Sequence, residues 1–446
     1  MQLPLKNTML GRLDWRRGIF RGWIFALVFF LIFLFMPQVF AGLIAQGIAP
    51  VFTTLDGNQL LGVFSSAGIY ILMALGLNVV VGFAGLLDLG YAAFFAIGAY
   101  AYALVNFHAQ IPAWPLLLAS PVVAAMFGVM LGAPTLRLRG DYLAIVTLGF
   151  GEIVPIVFRN LPVLGGVNGF VVTAPTPLNL PFGTYTFDVA TADPSDVSNF
   201  YYLVFGLVII ATIGVSLLRT SRIGRAWVAI REDETAAACS GINLVSTKLI
   251  AFAIGASVSG FAGVLYGAQN HIVSSDQFTF SVSITILVMI VLGGMGSISG
   301  VITGALLLSL LNRFLAILPT AIQQPDSALH FLQEKAPNLA ANINNSEFLI
   351  FGGLLLVMVI LRPQGLIPSA IRKRELKGEA LAAVPGADGR LVEVPAGAPA
   401  SEEAIEELQE LEVEQSDVVV EPVNQPAPGG PQHQPPEPGS DQGGAS

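Results

Sequence analysis

Apolar residues in this chain collect into long runs separated by short polar ones. The runs have the length of a bilayer crossing, for which about 20 helical residues suffice. Ten candidate spans follow: Gly22–Ala41, Leu60–Val81, Leu89–Val105, Trp114–Leu131, Tyr142–Phe158, Phe200–Leu218, Leu249–Ala268, Val282–Met295, Ile298–Leu318 and Phe348–Leu361. Several are shorter than the yardstick. The pattern predicts an all-α integral membrane protein of about ten transmembrane helices, its membrane domain covering residues 22–365.

The most informative polar stretch is Arg219–Lys248, lying between two strongly apolar runs. It breaks at Ser221–Gly224, continues through the apolar piece Ala226–Ile230, and restarts at Glu232-Asp233-Glu234. Acids in a first turn and a glycine just past a last turn (Gly241) are helix boundary signals. Two short helices on the membrane surface are expected. They are either an ordinary charged loop or a docking element for a soluble partner.

Two runs are interrupted by glycine. One is Gly76–Gly90, containing Asn78, Gly82, Gly85 and Asp88; the other is Gly293–Gly304, containing Gly294, Gly296 and Gly300. Each glycine costs a helix interior about 1 kcal/mol relative to alanine. Irregular backbone at membrane depth survives only where protein or a water-filled cavity covers it. Interruptions at comparable places in two halves (spans one to five and six to ten) point to a transport pathway. Close helix packing is the competing reading, of equal weight for the second segment. The first is expected to be a broken or re-entrant element. Gly255, Ser259, Gly263 and Gly267 recur every four residues and predict a tight helix contact, with a neighbouring span or a partner subunit.

Charge is segregated. Residues 378–446 hold 14 acids and one base, while the preceding 377 hold 20 bases and 16 acids. The net charge of −9 therefore originates in the tail. Residues 366–446 read as a mostly disordered, acidic, Pro/Gly-rich extension; from Gly378 on they contain no Phe, Trp or Tyr. Placing both termini in the cytoplasm, residues 1–21 included, puts 18 of the 21 bases inside, as the positive-inside rule asks. Few ionisable groups fall in or beside the spans. Arg313 is placed to snorkel, Asp141 to pair at the interface and Asp88 to cap the following helix. Glu152 lies inside its span, where it could line a cavity, hold a neighbouring helix or bind an ammonium group. So few carboxylates argue against a proton-coupled carrier. The one cysteine, Cys239, excludes an internal disulfide framework. Zinc spacing, phosphate loops and nucleophile elbows are absent. No metal, cofactor or catalytic residue is expected in this chain, and no nucleic acid partner.

The stretches Gly76–Tyr100, Asp141–Ile153, Gly165–Gly169, Gly224–Ala238 and Val291–Gly300 together resemble the branched-chain amino acid ABC transporter permeases of the LivM type, in the family's order. The resemblance implies a subunit of the bacterial cytoplasmic (inner) membrane without its own ATPase. Its partners would be a LivH-type second permease, two cytosolic ATP-binding subunits that hold ATP and Mg, and an extracytoplasmic amino-acid-binding protein. The 219–248 stretch would then be the ATPase-coupling loop, with Arg225, Arg231, Glu234, Ala236, Ala237 and Gly241 as its working residues. Asn78, Gly82, Gly85, Asp88, Glu152, Gly293, Gly294 and Gly296 would be pathway candidates. Departures exist: Thr235 stands where the family's coupling motif has glutamate, and Pro155 where arginine is common. A urea or short-amide permease is the alternative, and an ion-coupled secondary carrier a more distant one.

Overall fold

The computed structural model describes residues 57–109, 111, 113–135, 141–172, 178–180, 183–185 and 194–323, with isolated positions at 352–353, 356, 360, 365–367, 384–385 and 391–392. Ten α-helices can be followed: α1 Gly57–Leu77, α2 Tyr91–Ala109, α3 Ala113–Thr135, α4 Asp141–Asn160, α5 Pro194–Thr220, α6 Arg222–Glu232, α7 Glu234–Cys239, α8 Leu244–Asn270, α9 Phe280–Gly293 and α10 Ile298–Gln323. Eight described helical stretches are long and apolar enough to cross a membrane. They coincide with the second to ninth expected spans. The first expected span, residues 1–21 and the basic pair Arg137 and Arg139 lie outside the described residues. So does most of the tenth span.

Helix α8 is the hub. It packs against α1, α2 and α3, and glycine makes the approach possible. Gly255 lies on Gly76 of α1 and on Val80 just beyond it, Gly263 on Phe95, Gly98 and Ala99 of α2, and Gly267 on the Tyr102 ring. Ser259 is fully buried in the same row. The small-residue stripe therefore faces neighbouring spans of its own chain, where close backbone approach replaces a hydrophobic driving force. The adjoining row of α8 meets α3 through Gly260, which touches Pro121 and Ala124 as well as Gly98 of α2.

The contacts have an internal symmetry. Helix α8 packs against α2 and α3, α1 packs against α9 and α10, and α2–α3 and α9–α10 are paired. Exchanging α1 with α8, α2 with α9 and α3 with α10 maps this set onto itself. Two halves are thus visible in the packing. The glycine-rich interruptions, however, do not occupy equivalent places in them. The first follows α1, whereas the second joins α9 to α10. The counterpart of the first is residues 271–279, after α8. There β4 (Ile272–Val273) pairs antiparallel with β1 (Phe170–Val171), Phe170 opposite Val273. An exposed Arg159–Asp276 pair at 3.7 Å lies nearby. Strands β2 (Leu178–Leu180) and β3 (Gly183–Tyr185) form a separate hairpin.

Residues 374–446 form a second unit. Its described part is one two-residue antiparallel ladder, β5 (Val384–Pro385) with β6 (Leu391–Val392). The expectation for the rest of the tail falls outside the described residues.

Candidate functional site: the coupling element and the interrupted segments

The polar stretch folds as expected in kind, with tighter boundaries. Helix α5 runs through Thr220, and α8 already begins at Leu244. The irregular part is therefore shorter than 219–248. Ser221 caps α6 by accepting from the Gly224 amide at 3.2 Å. Asp233 caps α7 through its Oδ1, which accepts from Thr235 at 2.6 Å and Ala236 at 2.9 Å. Gly241, at φ +82°, ends it, a left-handed turn that glycine takes without steric cost.

Both helices are anchored to the membrane bundle. Trp227 is fully buried and donates its indole N–H to the Thr247 carbonyl at 2.8 Å. Lys248, expected in a polar loop, is instead buried inside α8 and pairs with Glu234 at 2.6 Å. This fixes which side of α7 points out. Ala237 is buried, whereas Thr235, Ala236, Ala238, Cys239 and Gly241 are exposed. Arg225 is exposed as well, its guanidinium donating to the Thr220 carbonyl at 2.9 Å. Of the coupling candidates, Arg225, Ala236 and Gly241 face outward. Ala237, Glu234 and Arg231 face their own chain.

The first interrupted segment is a broken element. Helix α1 widens into a π-helical turn at Asn78–Phe83. The chain then turns at Gly85, φ +71°, and returns as non-helical backbone to Tyr91. This return is recessed. The Tyr91 hydroxyl donates to the Gly255 carbonyl at 2.9 Å, and Gly255 lies eleven residues beyond Leu244, about 16 Å along the helix. Gly90 sits on Thr147 and Gly151 of α4 at a similar depth. Asp88 accepts from the Gly90 amide at 2.9 Å. It braces the segment ahead of α2, while Ser283 of α9 caps α2 itself by accepting from Ala92 at 2.9 Å. Gly85 and Leu87 are exposed along this edge.

The second interruption is a tight helical hairpin. A methyl group on Gly293 would overlap the Gly300 carbonyl, and one on Gly304 the Met289 carbonyl. Residues 366 and 367 donate their amides to Leu292 and Gly293 at 2.9 and 3.0 Å. Gly293, Gly294 and Gly296 are all buried. Here glycine serves close packing.

The structure brings the two interruptions together. Asn78 Oδ1 accepts from the Gly296 amide at 2.9 Å, fully buried, and Gly82 packs against both residues. The polar stretch joins them: Arg231 Nη1 donates to the Gly82 carbonyl at 2.8 Å, and Arg219 lies 5.8 Å above the centre of the Phe83 ring. Glu152 does not join this group. It is exposed, midway along α4, on a face with Ile145, Gly149, Ile153 and Ile156. Among the described residues no cluster of His, Cys, Asp and Glu could hold a metal ion.

Arg219 and Lys248 were legible as charges but not as partners. Their partners are far away in sequence, at Phe83 and across the α7–α8 turn. The lone tryptophan of a polar stretch was the one available signal for the anchor.

Eight helical stretches able to cross a membrane, with a capped surface element tied to a broken helix, have the build of a membrane transport subunit. Family comparison agrees. Residues 59–360 match the model for the branched-chain amino acid transport system / permease component. The chain belongs to that family and is a permease subunit of an ABC importer. It is 42% identical over 322 residues to the high-affinity branched-chain amino acid transport system permease protein LivM of Salmonella typhimurium, spanning 69% of this chain and 70% of that one. To LivM of Escherichia coli it is 42% identical over 325 residues, 70% and 71% of the two chains. The LivH permease of Escherichia coli is 39% identical over 93 residues, 21% of this chain and 30% of its own. No solved structure matches.

Proposed function

We infer that this subunit imports branched-chain or other neutral amino acids across the bacterial cytoplasmic membrane, by alternating access driven from separate ATP-binding subunits. The observation that carries the reading is the rigid presentation of α7. A helix of small residues is capped at both ends, pinned from beneath by the Lys248–Glu234 pair, joined to an α6 that Trp227 ties to α8, and left open on its Thr235–Ala236–Cys239 side. Such a face fits a groove in a soluble partner, and Ala237, turned inward, does not enter it.

The α4 face completes the picture. A carboxylate left in lipid costs on the order of 2.5–3.5 kcal/mol even on insertion scales, and irregular backbone at membrane depth must be covered. Exposed Glu152, the open edge at Gly85 and Leu87, and the contact of that edge with α4 support one assignment. This side meets a second, LivH-type permease, with the pathway candidates Gly82, Gly85, Asp88 and Glu152 close to the seam. The likeness to both LivM-named and LivH-named permeases supports a homologous pair. Both termini and α6–α7 lie in the cytoplasm, the two outermost of ten spans complete the domain, and an extracytoplasmic binding protein delivers the substrate.

The test is transport by the whole complex. This chain, a LivH-type permease, two ATP-binding subunits and a binding protein are co-reconstituted in liposomes and assayed with radiolabelled leucine against unlabelled valine, alanine and urea. ATP- and binding-protein-dependent leucine uptake, competed by valine, is expected. Competition by urea alone would move the substrate to short amides. Ion-gradient-driven uptake by this chain without the ATPases would overturn the reading.

A further inference from the structure

We propose that Arg231 is the positioning residue through which movement of α6 reaches the interrupted segments, so that import is coupled to ATP hydrolysis through its hydrogen bond to the Gly82 carbonyl. This rests on the functional reading above and assigns its mechanical link.

Gly82 belongs to the last turn of a π-helix, where carbonyls run out of partners within the helix. Arg231 supplies the missing donor from 149 residues away, at 2.8 Å. The fit around it is close. The position of a methyl group on Gly85 is 2.8 Å from Arg231 Cγ and 3.2 Å from its Cβ, and one on Gly296 would lie 3.4 Å from Nη1. Gly85 and Gly296 thus flank the Arg231 side chain, the first along its stem and the second at its guanidinium. Beyond the guanidinium, Asn78 carries the connection to the second interruption through the Gly296 amide.

The other end of Arg231 belongs to the docking element. It sits in the last turn of α6, two residues before Asp233, the cap of α7. A displacement of α7 reaches this turn directly along the chain. Arg219, stacked over Phe83 at the preceding helix end, holds the same π-helical turn from its neighbouring residue. Isolated π-turns are a strained arrangement, frequent at functional sites, and can give a segment two registers. A guanidinium that satisfies the terminal carbonyl favours one of them. Pulling it away removes that preference.

The test uses the assembled transporter in liposomes, measuring substrate imported per ATP hydrolysed. Arg231→Ala is expected to leave complex yield and basal ATPase within about twofold of wild type, and to lower the transport-to-hydrolysis ratio at least tenfold. Arg231→Lys, which keeps a single donor, should retain an intermediate ratio. Gly85→Ala, which crowds the stem without touching the donor, should reproduce the loss. A normal ratio in Arg231→Ala overturns the proposal. So does a parallel fall of uptake and hydrolysis, which would make Arg231 a docking residue, and so does loss of assembly in all three variants, which would make it a folding residue. Absence of ATP-driven import by the wild-type complex would instead refute the functional reading.

Discussion

The two glycine-rich interruptions look alike in sequence and behave differently in the fold. Gly293, Gly300 and Gly304 let α9 and α10 cross with backbone against backbone, and all three are buried. Gly82, Gly85 and Gly90 accompany a wide turn, a left-handed turn and a recessed non-helical return, part of which is exposed. One set of glycines holds a hairpin shut; the other keeps a segment out of helical form beside an open face. Glycine content alone therefore does not mark a pathway. What marks it is whether the backbone groups freed by glycine are taken up by neighbouring helices or left at an edge.

Substitutions can separate the two uses. The largest effect is expected for Gly293→Ala, where the added methyl meets the Gly300 backbone and cannot be accommodated by a side-chain rotation. Overpacking of this kind costs about 1–3 kcal/mol, and the upper end is expected because backbone must move. Thermal unfolding of the purified complex in detergent measures it. Gly293→Ala as stable as wild type would mean that the hairpin is as loose as the first interruption.

Next comes Asn78→Ala, which tests whether the interruptions act as one unit. It leaves the buried Gly296 amide without its acceptor, at a cost of about 1–3 kcal/mol. Asn78→Asp keeps an acceptor and should recover part of the loss in the same unfolding assay. Equal destabilisation by both variants would separate the two segments. Gly85→Ala is expected to cost about 1–2 kcal/mol through the left-handed backbone at φ +71°, and its methyl also crowds the base of the Arg231 side chain, 2.8 Å from Cγ.

Much of this arrangement was legible in the sequence, because lipid imposes simple rules on it. Spans two to nine are readable since uninterrupted apolar length is what a bilayer demands, and α6 and α7 since Ser221, Asp233 and Gly241 are local boundary signals. The meeting of Asn78 with Gly296 was not readable, because 218 residues separate them and no periodicity encodes the contact. Nor was the inward turn of Arg231, Glu234 and Ala237. Six residues of α7 make under two turns, too few for an amphipathic pattern to declare a side. The small-residue stripe of α8 was legible as a contact but not as an internal one, since glycine spacing specifies closeness and not the neighbour.

The smallest effect on stability, and the sharpest division between the interruptions, is expected at Leu87. Its side chain is 39% exposed on the recessed return, so Leu87→Asn removes little packing and should shift unfolding by less than about 0.5 kcal/mol, as surface substitutions do. The same change places an amide beside the proposed pathway, on the edge that also presents Gly85 and approaches α4 near Glu152. If that edge lines the route of an apolar amino acid, leucine uptake should fall several-fold with stability unchanged, and alanine uptake should fall less, because the smaller side chain presents less apolar surface to a wall made polar. A buried hairpin position cannot behave this way, since any change there is felt first in folding. Unaltered uptake of both substrates by Leu87→Asn would place the edge against lipid or a partner helix and leave the first interruption, like the second, a matter of packing.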